Sequence, residues 1–144
     1  MFAVPERTQR SYAPLSLMAD VPLIIITGWM WVLMLGIFAA RMSHPFDLEW
    51  MEGGMLLHGH RVAMGQGLYV IPSSEFIPFI YPPLYSWLLG LGGVFFDVTY
   101  GWGRGISVLG TLAGVGALIA AVRGEGGSTA VGMAAGAVFL TTWD

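Results

Sequence analysis

The side chains able to do chemistry are concentrated between Phe46 and Tyr85, FDLEWMEGGMLLHGHRVAMGQGLYVIPSSEFIPFIYPPLY, in a chain that is otherwise nearly all apolar. Asp47, Glu49, Glu52 and Glu75 lie in it, as do His58 and His60, with His44 just ahead. Carboxylates held at a membrane surface are partly desolvated, which raises their pKa and suits them to base chemistry if a proton donor is near. Asp47, behind Pro45 and Phe46, could instead be a helix cap, with Glu49 and Glu52 in a first turn favoured by the helix dipole. His58 and His60 beside Glu52 suggest a metal site, but a spacing of i and i+2 does not put two ligands on one helix face, so the spacing does not support a divalent ion. Arg61 suits either a phosphate or an anchor among lipid headgroups.

Several chemistries are excluded outright. The chain has no GxxxxGK[ST] loop, no serine-centred nucleophile elbow and no HExxH, which removes nucleotide hydrolysis and zinc proteolysis. With no cysteine there is no thiolate nucleophile, no disulfide and no cysteine-held zinc. All six basic residues are arginine and the net charge is -3, so a polybasic surface for nucleic acid is absent.

The elements that must position these residues are membrane helices. Of 144 residues 56% are hydrophobic and only 10% charged, far below the roughly 25% of soluble domains, and mean hydropathy is +0.70. The expected fold is all-α and polytopic, with about four transmembrane helices. Residues 1–20 form a cytoplasmic tail carrying Arg7 and Arg10, and residues 21–144 the membrane domain. The first span is Val21–Ala40, twenty residues without a charge, enough for about 30 Å of hydrocarbon. The second begins at Pro82 and ends near Val98, the third runs from Gly105 to Val122, and the fourth, Thr129–Trp143, is short enough to suggest a truncated frame.

Between the first two spans lies an external loop, 42–81, far longer than a tight connection needs. Its Asp47–Met64 portion favours helix, although Gly53, Gly54 and Gly59 leave one helix or two open. On a helical wheel, Asp47, Met51, Met55, His58 and Val62 share one stripe while Glu49, Leu56 and His60 lie opposite. Charge and apolar groups therefore mix on every face, as in a segment packed against protein rather than laid on lipid. The pairs Gly110/Gly114 and Gly132/Gly136, with Ala113, Ala117 and Ala121, predict close helix packing. Arginines divide three and three across the expected topology, leaving the first span's flanks to favour an inside amino terminus and to place Arg104 inside.

The order of these features, an acidic segment soon after the first span (FDLEWMEGG), a glycine and tyrosine element (GQGLYVIPS), an aromatic-proline-proline entry to the second span (FIPFIYPPLY) and an arginine opening the third (GRGISVLGTL), resembles the amino-terminal part of GT-C membrane glycosyltransferases. Within that superfamily it is similar to bacterial relatives of protein O-mannosyltransferases and of the lipid A aminoarabinose transferase, over about residues 20 to 123. The resemblance implies transfer of a sugar from a polyprenyl-phosphate carrier to an acceptor on the outer face of the membrane, in a multi-pass protein of the bacterial inner membrane. It implies a loop carboxylate as general base, Asp47 first, with Glu49 and Glu52 as alternatives, because this chain spreads the three over six positions where many relatives have an adjacent Asp-Glu pair. It further implies that Arg61, or Arg104, meets the carrier phosphate and that Tyr69, Tyr81 and Tyr85 shape the site. Such enzymes have many more spans, so the resemblance makes this an amino-terminal fragment whose missing carboxy-terminal part supplies further binding. The competing reading is a small non-enzymatic membrane subunit that assembles through its GxxxG faces.

Overall fold

The computed structural model describes residues 17–142, so most of the expected tail, with Arg7 and Arg10, lies outside the described residues. Those residues form five helices and no strand: α1 (Leu17–Met42), α2 (Glu52–Ala63), α3 (Leu84–Phe95), α4 (Tyr100–Gly124) and α5 (Thr129–Thr141). The all-α expectation holds. Two segments, Val21–Met42 of α1 and the whole of α4, are long and apolar enough to cross a membrane. A core helix of a soluble protein would be mostly buried, whereas in both of these few residues are: in α1, Ile25, Trp29 and Val32 each leave more than half of their surface bare.

The other expected spans come out shorter. α3 has 12 residues and α5 has 13, lengths of about 18 and 20 Å against about 30 Å of hydrocarbon. The expected span 82–98 stops early because Phe96 turns extended (φ -138°, ψ 176°). Thr99 then starts α4 five residues sooner than expected, its Oγ1 accepting from the Trp102 N–H at 3.3 Å.

Local chemistry explains the other ends. α1 closes at Met42, three residues ahead of Pro45, which forces His44 out of helical geometry. Glu52 opens α2 by accepting the Leu48 N–H on Oε2 at 2.8 Å, so the helix starts at Glu52 rather than at Asp47. It runs unbroken through its glycines to a Schellman stop: Gly65 is left-handed (φ +69°), its N–H bonds to the Val62 carbonyl, and that of Gln66 to the Arg61 carbonyl. Gly126 (φ +88°) ends α4 in the same way, and Ser128 Oγ caps α5 by accepting from Val131 N–H.

The chain divides into two compact units, one of residues 36–110 and one of the residues up to Leu35 with those from Thr111 on. In the first, α2 crosses α3 where glycines remove the side chains. A Cβ on Gly59 would lie 2.6 Å from that of Leu89, and one on Gly90 2.5 Å from that of Val62 and 2.9 Å from the Gly59 carbonyl. Leu89, the residue thus enclosed, has no exposed surface. Of α2 only Leu57 and His60 stay exposed, which agrees with a helix packed on several sides. In the second unit, α5 packs through Gly132 and Gly136 onto Ile119 and Val115 of α4, and the Trp31 indole donates to the Met133 carbonyl at 3.3 Å. The α4 pair behaves differently: a Cβ on Gly110 would meet nothing within 4 Å, one on Gly114 would only touch the Phe139 ring at 3.9 Å, and Ala113, Ala117 and Ala121 are exposed.

Candidate functional site

Residues 41–52 are organised by Arg104, one turn into α4. The guanidinium has five N–H donors in a fixed fork, and all are used. Nε and Nη2 donate to Glu52 Oε1 and Oε2 at 2.9 and 2.7 Å, Nη1 to the carbonyls of Arg41 and His44 at 2.8 and 2.6 Å, and Nη2 also to the Phe46 carbonyl at 2.7 Å. Arg104 is 8% exposed and Glu52 23%. A charge in so apolar a helix needs such partners, because an unpaired buried guanidinium is prohibitively costly. Arg104 also holds the Glu52 carboxyl below the usual carboxylate range, against the upward push of burial, with help from the Leu48 N–H. The pair is bidentate, the strongest arrangement of these groups.

This geometry corrects the expected placement of Arg104. Its bond to the Arg41 carbonyl puts the start of α4 beside the end of α1, on the loop's side and not on the opposite one. α3, the helix between the loop and α4, has only 12 residues. Arg104 is equally unsuited to meet a phosphate, since no donor is left.

Among the three candidate carboxylates the structure draws a distinction. Glu52 is consumed by Arg104. The Asp47 side chain interacts with the Tyr100 phenol and packs near Gly53, in whose direction a Cβ would come 3.1 Å from Oδ1. Glu49 is exposed and takes part only through its carbonyl, which accepts the Glu52 N–H at 3.0 Å. Phe46 and Trp50, on either side of them, are 70% and 82% exposed.

A second cluster lies around His58, which is almost fully buried. Its Nε2 accepts the Phe79 N–H at 2.9 Å and must be unprotonated to do so, hence Nδ1 carries the hydrogen and donates to the Gly54 carbonyl at 2.7 Å. Both ring nitrogens are thus engaged by backbone, while His60 is exposed on another face of α2. Phe79 stacks on the imidazole at 4.7 Å and 21°. The ring of Phe76 lies 4.8 Å from His58 and carries the Arg61 guanidinium 4.1 Å above its centroid.

Arg61 itself donates from Nε and Nη2 to the Gly67 carbonyl at 3.2 and 3.1 Å and so closes the turn after α2. The Tyr69 hydroxyl donates to the Tyr81 carbonyl at 2.6 Å, and the Tyr81 hydroxyl points to Met51 Sδ at 3.7 Å. Tyr69 and Tyr81 border a recess over His58 with room for about one water molecule. Tyr85 stands apart on the packed face of α3, its hydroxyl donating to the Gly103 carbonyl at 3.1 Å. The hydroxyls of Tyr69 and Tyr85 therefore brace backbone while that of Tyr81 meets a methionine side chain, and only Tyr69 and Tyr81 share a cavity.

The two organising residues differ in how far the sequence announced them. His58 gave no signal of its role, because its partners are backbone groups four and 21 residues away. Arg104 did give one: it is the sole charge between Asp97 and Arg123, and a lone charge in an apolar helix calls for a carboxylate. Comparison of the chain with protein-family models, with curated proteins and with solved structures gives no match.

Proposed function

We propose that this chain is the amino-terminal part of a polyprenyl-phosphate-dependent glycosyltransferase of the GT-C type in the bacterial inner membrane, with Asp47 as general base and Glu49 as the alternative. In this reading α1 and α4 cross the bilayer, and the segment 42–52 faces the compartment where transfer occurs. The observation that supports it is the saturation of Arg104. By binding Glu52 and three carbonyls, Arg104 fixes the segment while leaving Asp47 and Glu49 outside the only ion pair among the described residues.

The chemistry asks for such a carboxylate. An acceptor hydroxyl gives its proton to the Asp47 carboxylate as its oxygen bonds to the anomeric carbon, and the bond from that carbon to the carrier phosphate breaks with the electron pair leaving on phosphate. General-base assistance of this kind contributes about 10² to 10⁴ in rate. In membranes holding the full-length protein and a radiolabelled polyprenyl-phosphate sugar, Asp47→Asn is expected to lower transfer by about that factor while insertion is unchanged. Normal transfer by both Asp47→Asn and Glu49→Gln would refute the carboxylate proposal.

A second reading, a small subunit that assembles with another membrane helix, draws on one observation: the Gly110 side of α4 faces open space. Loss of a membrane complex on Gly110→Leu, with no transfer activity in any preparation, would favour it.

A further inference from the structure

α3 divides into two faces with no overlap. Projected at about 100° per residue, Tyr85, Ser86, Leu89, Gly90, Gly92 and Gly93 occupy one side, and these are its covered positions. Leu84, Trp87, Leu88, Leu91, Val94 and Phe95 fill an arc of about 120° on the other side, by the same projection, and every one is exposed. No charged side chain occurs anywhere in residues 76–96, whereas Glu75 and Asp97 flank that run.

Where α3 sits follows from what its covered face touches. The Trp102 indole fills the space over Gly92 and donates to the Leu89 carbonyl at 3.3 Å, and Tyr85 bonds to Gly103. Both contacts fall in the first turn of α4. That helix has 25 residues, about 37 Å, against roughly 30 Å of hydrocarbon, so it has about one turn to spare at the headgroup level. Arg104, next in sequence, also belongs at that boundary, since a charge is least costly there.

We propose that α3 lies in the plane of the membrane boundary, with the arc from Leu84 to Phe95 seated among lipid acyl chains and its opposite face covered by α2. An in-plane helix ordinarily keeps a charged face toward water; here α2, with Glu52, His60 and Arg61, supplies that face. The hairpin of α2 and α3 acts as one amphipathic body in which a protein partner replaces the polar half of a single helix. The inference depends on α1 and α4 crossing a bilayer and not on sugar transfer.

Single-cysteine variants test it cleanly, because the chain has no cysteine of its own. Trp87→Cys, Leu91→Cys and Val94→Cys, each carrying a bimane label in the full chain, are placed in phosphatidylcholine vesicles whose lipids are brominated near the headgroup or near the chain end. The label on each is expected to be quenched about twice as strongly by the shallow bromines, at one common depth of about 5–10 Å. A label on His60→Cys is expected to escape both, and one on Val32→Cys in α1 to be quenched by the deep bromines. Depth increasing steadily from residue 87 to 94 overturns the proposal in favour of a crossing. Labels untouched by lipid but reached by iodide in water overturn it as well, as do labels shielded from both when the same variants, left unlabelled, form disulfide-linked copies. Failure of the Val32 reference alone would show that the membrane reading is at fault, and Leu88→Cys replaces any variant that does not fold.

Discussion

Two places hold the unit of residues 36–110 together, and they do so by opposite means. At the Arg104 junction one long charged side chain satisfies two carboxylate oxygens and three carbonyls. At the crossing of α2 and α3 the contact depends on side chains that are missing, Gly59 under Leu89 and Gly90 under Val62. A junction built on hydrogen bonds fails when a partner is removed, because the groups left behind are partly covered and lose their donor. A crossing built on glycine fails when anything is added, because close-packed backbone cannot retreat. In the described residues no buried side-chain polar atom lacks a partner, so the first mode of failure has no precedent in the native fold.

The largest effect is therefore expected from Arg104→Leu, which removes the cation from Glu52 and the donors from the His44 and Phe46 carbonyls and should cost about 3 kcal/mol, the low end for a broken buried pair since Glu52 is partly exposed. Thermal unfolding in detergent, followed by tryptophan emission, measures it; an unchanged midpoint would mean that the loop is held by something else. Gly90→Ala should come next at about 2 kcal/mol, because its Cβ would press on both Val62 and a carbonyl. Gly110→Ala is the matched control at the opposite end of the scale, within about 0.5 kcal/mol, since its Cβ enters open space. If the two alanines proved equally harmful, helix packing would not be the reason for Gly90.

Acid should separate the two regions without a mutation. The Glu52 carboxyl titrates below its ordinary value of 4.5 in the folded chain, so the ion pair contributes in full above about that pH and its contribution is lost as pH falls through the lowered folded value. Solvent reaches Glu52, which makes this effect smaller than that of Arg104→Leu. Melting temperature is expected to hold from pH 7 to 5 and then drop. In Glu52→Gln the part of the drop due to this carboxyl should vanish, while in Gly90→Ala it should persist. A Glu52→Gln profile parallel to that of the native chain would contradict the assignment.

Much of this was legible in the sequence. Twenty uncharged residues at Val21–Ala40, the prolines that introduce α3, the RGEGGS turn and the packing role of Gly132 and Gly136 all express local chemistry, and local chemistry needs no partner to be read. The acidic segment could be located but not sorted, because Asp47, Glu49 and Glu52 are alike as residues and differ only in which of them meets Arg104, 52 positions beyond Glu52. The glycines of α2 were ambiguous for a related reason. Intrinsic propensity counts them against a helix, and only the approach of α3 shows why they are tolerated inside one.

By itself, then, the sequence determined an all-helical, strongly apolar chain and a polar segment after its first span that carries the candidate carboxylates, but it led to about four spans where two helices are long and apolar enough to cross. Tertiary structure decided that Arg104 stands beside that segment, that Glu52 is spent in holding it, and that α3 ends after 12 residues with one apolar face bare. The division follows the range of the forces: hydropathy and capping act within a few residues, whereas the partner of a buried charge is chosen by the path of the whole chain.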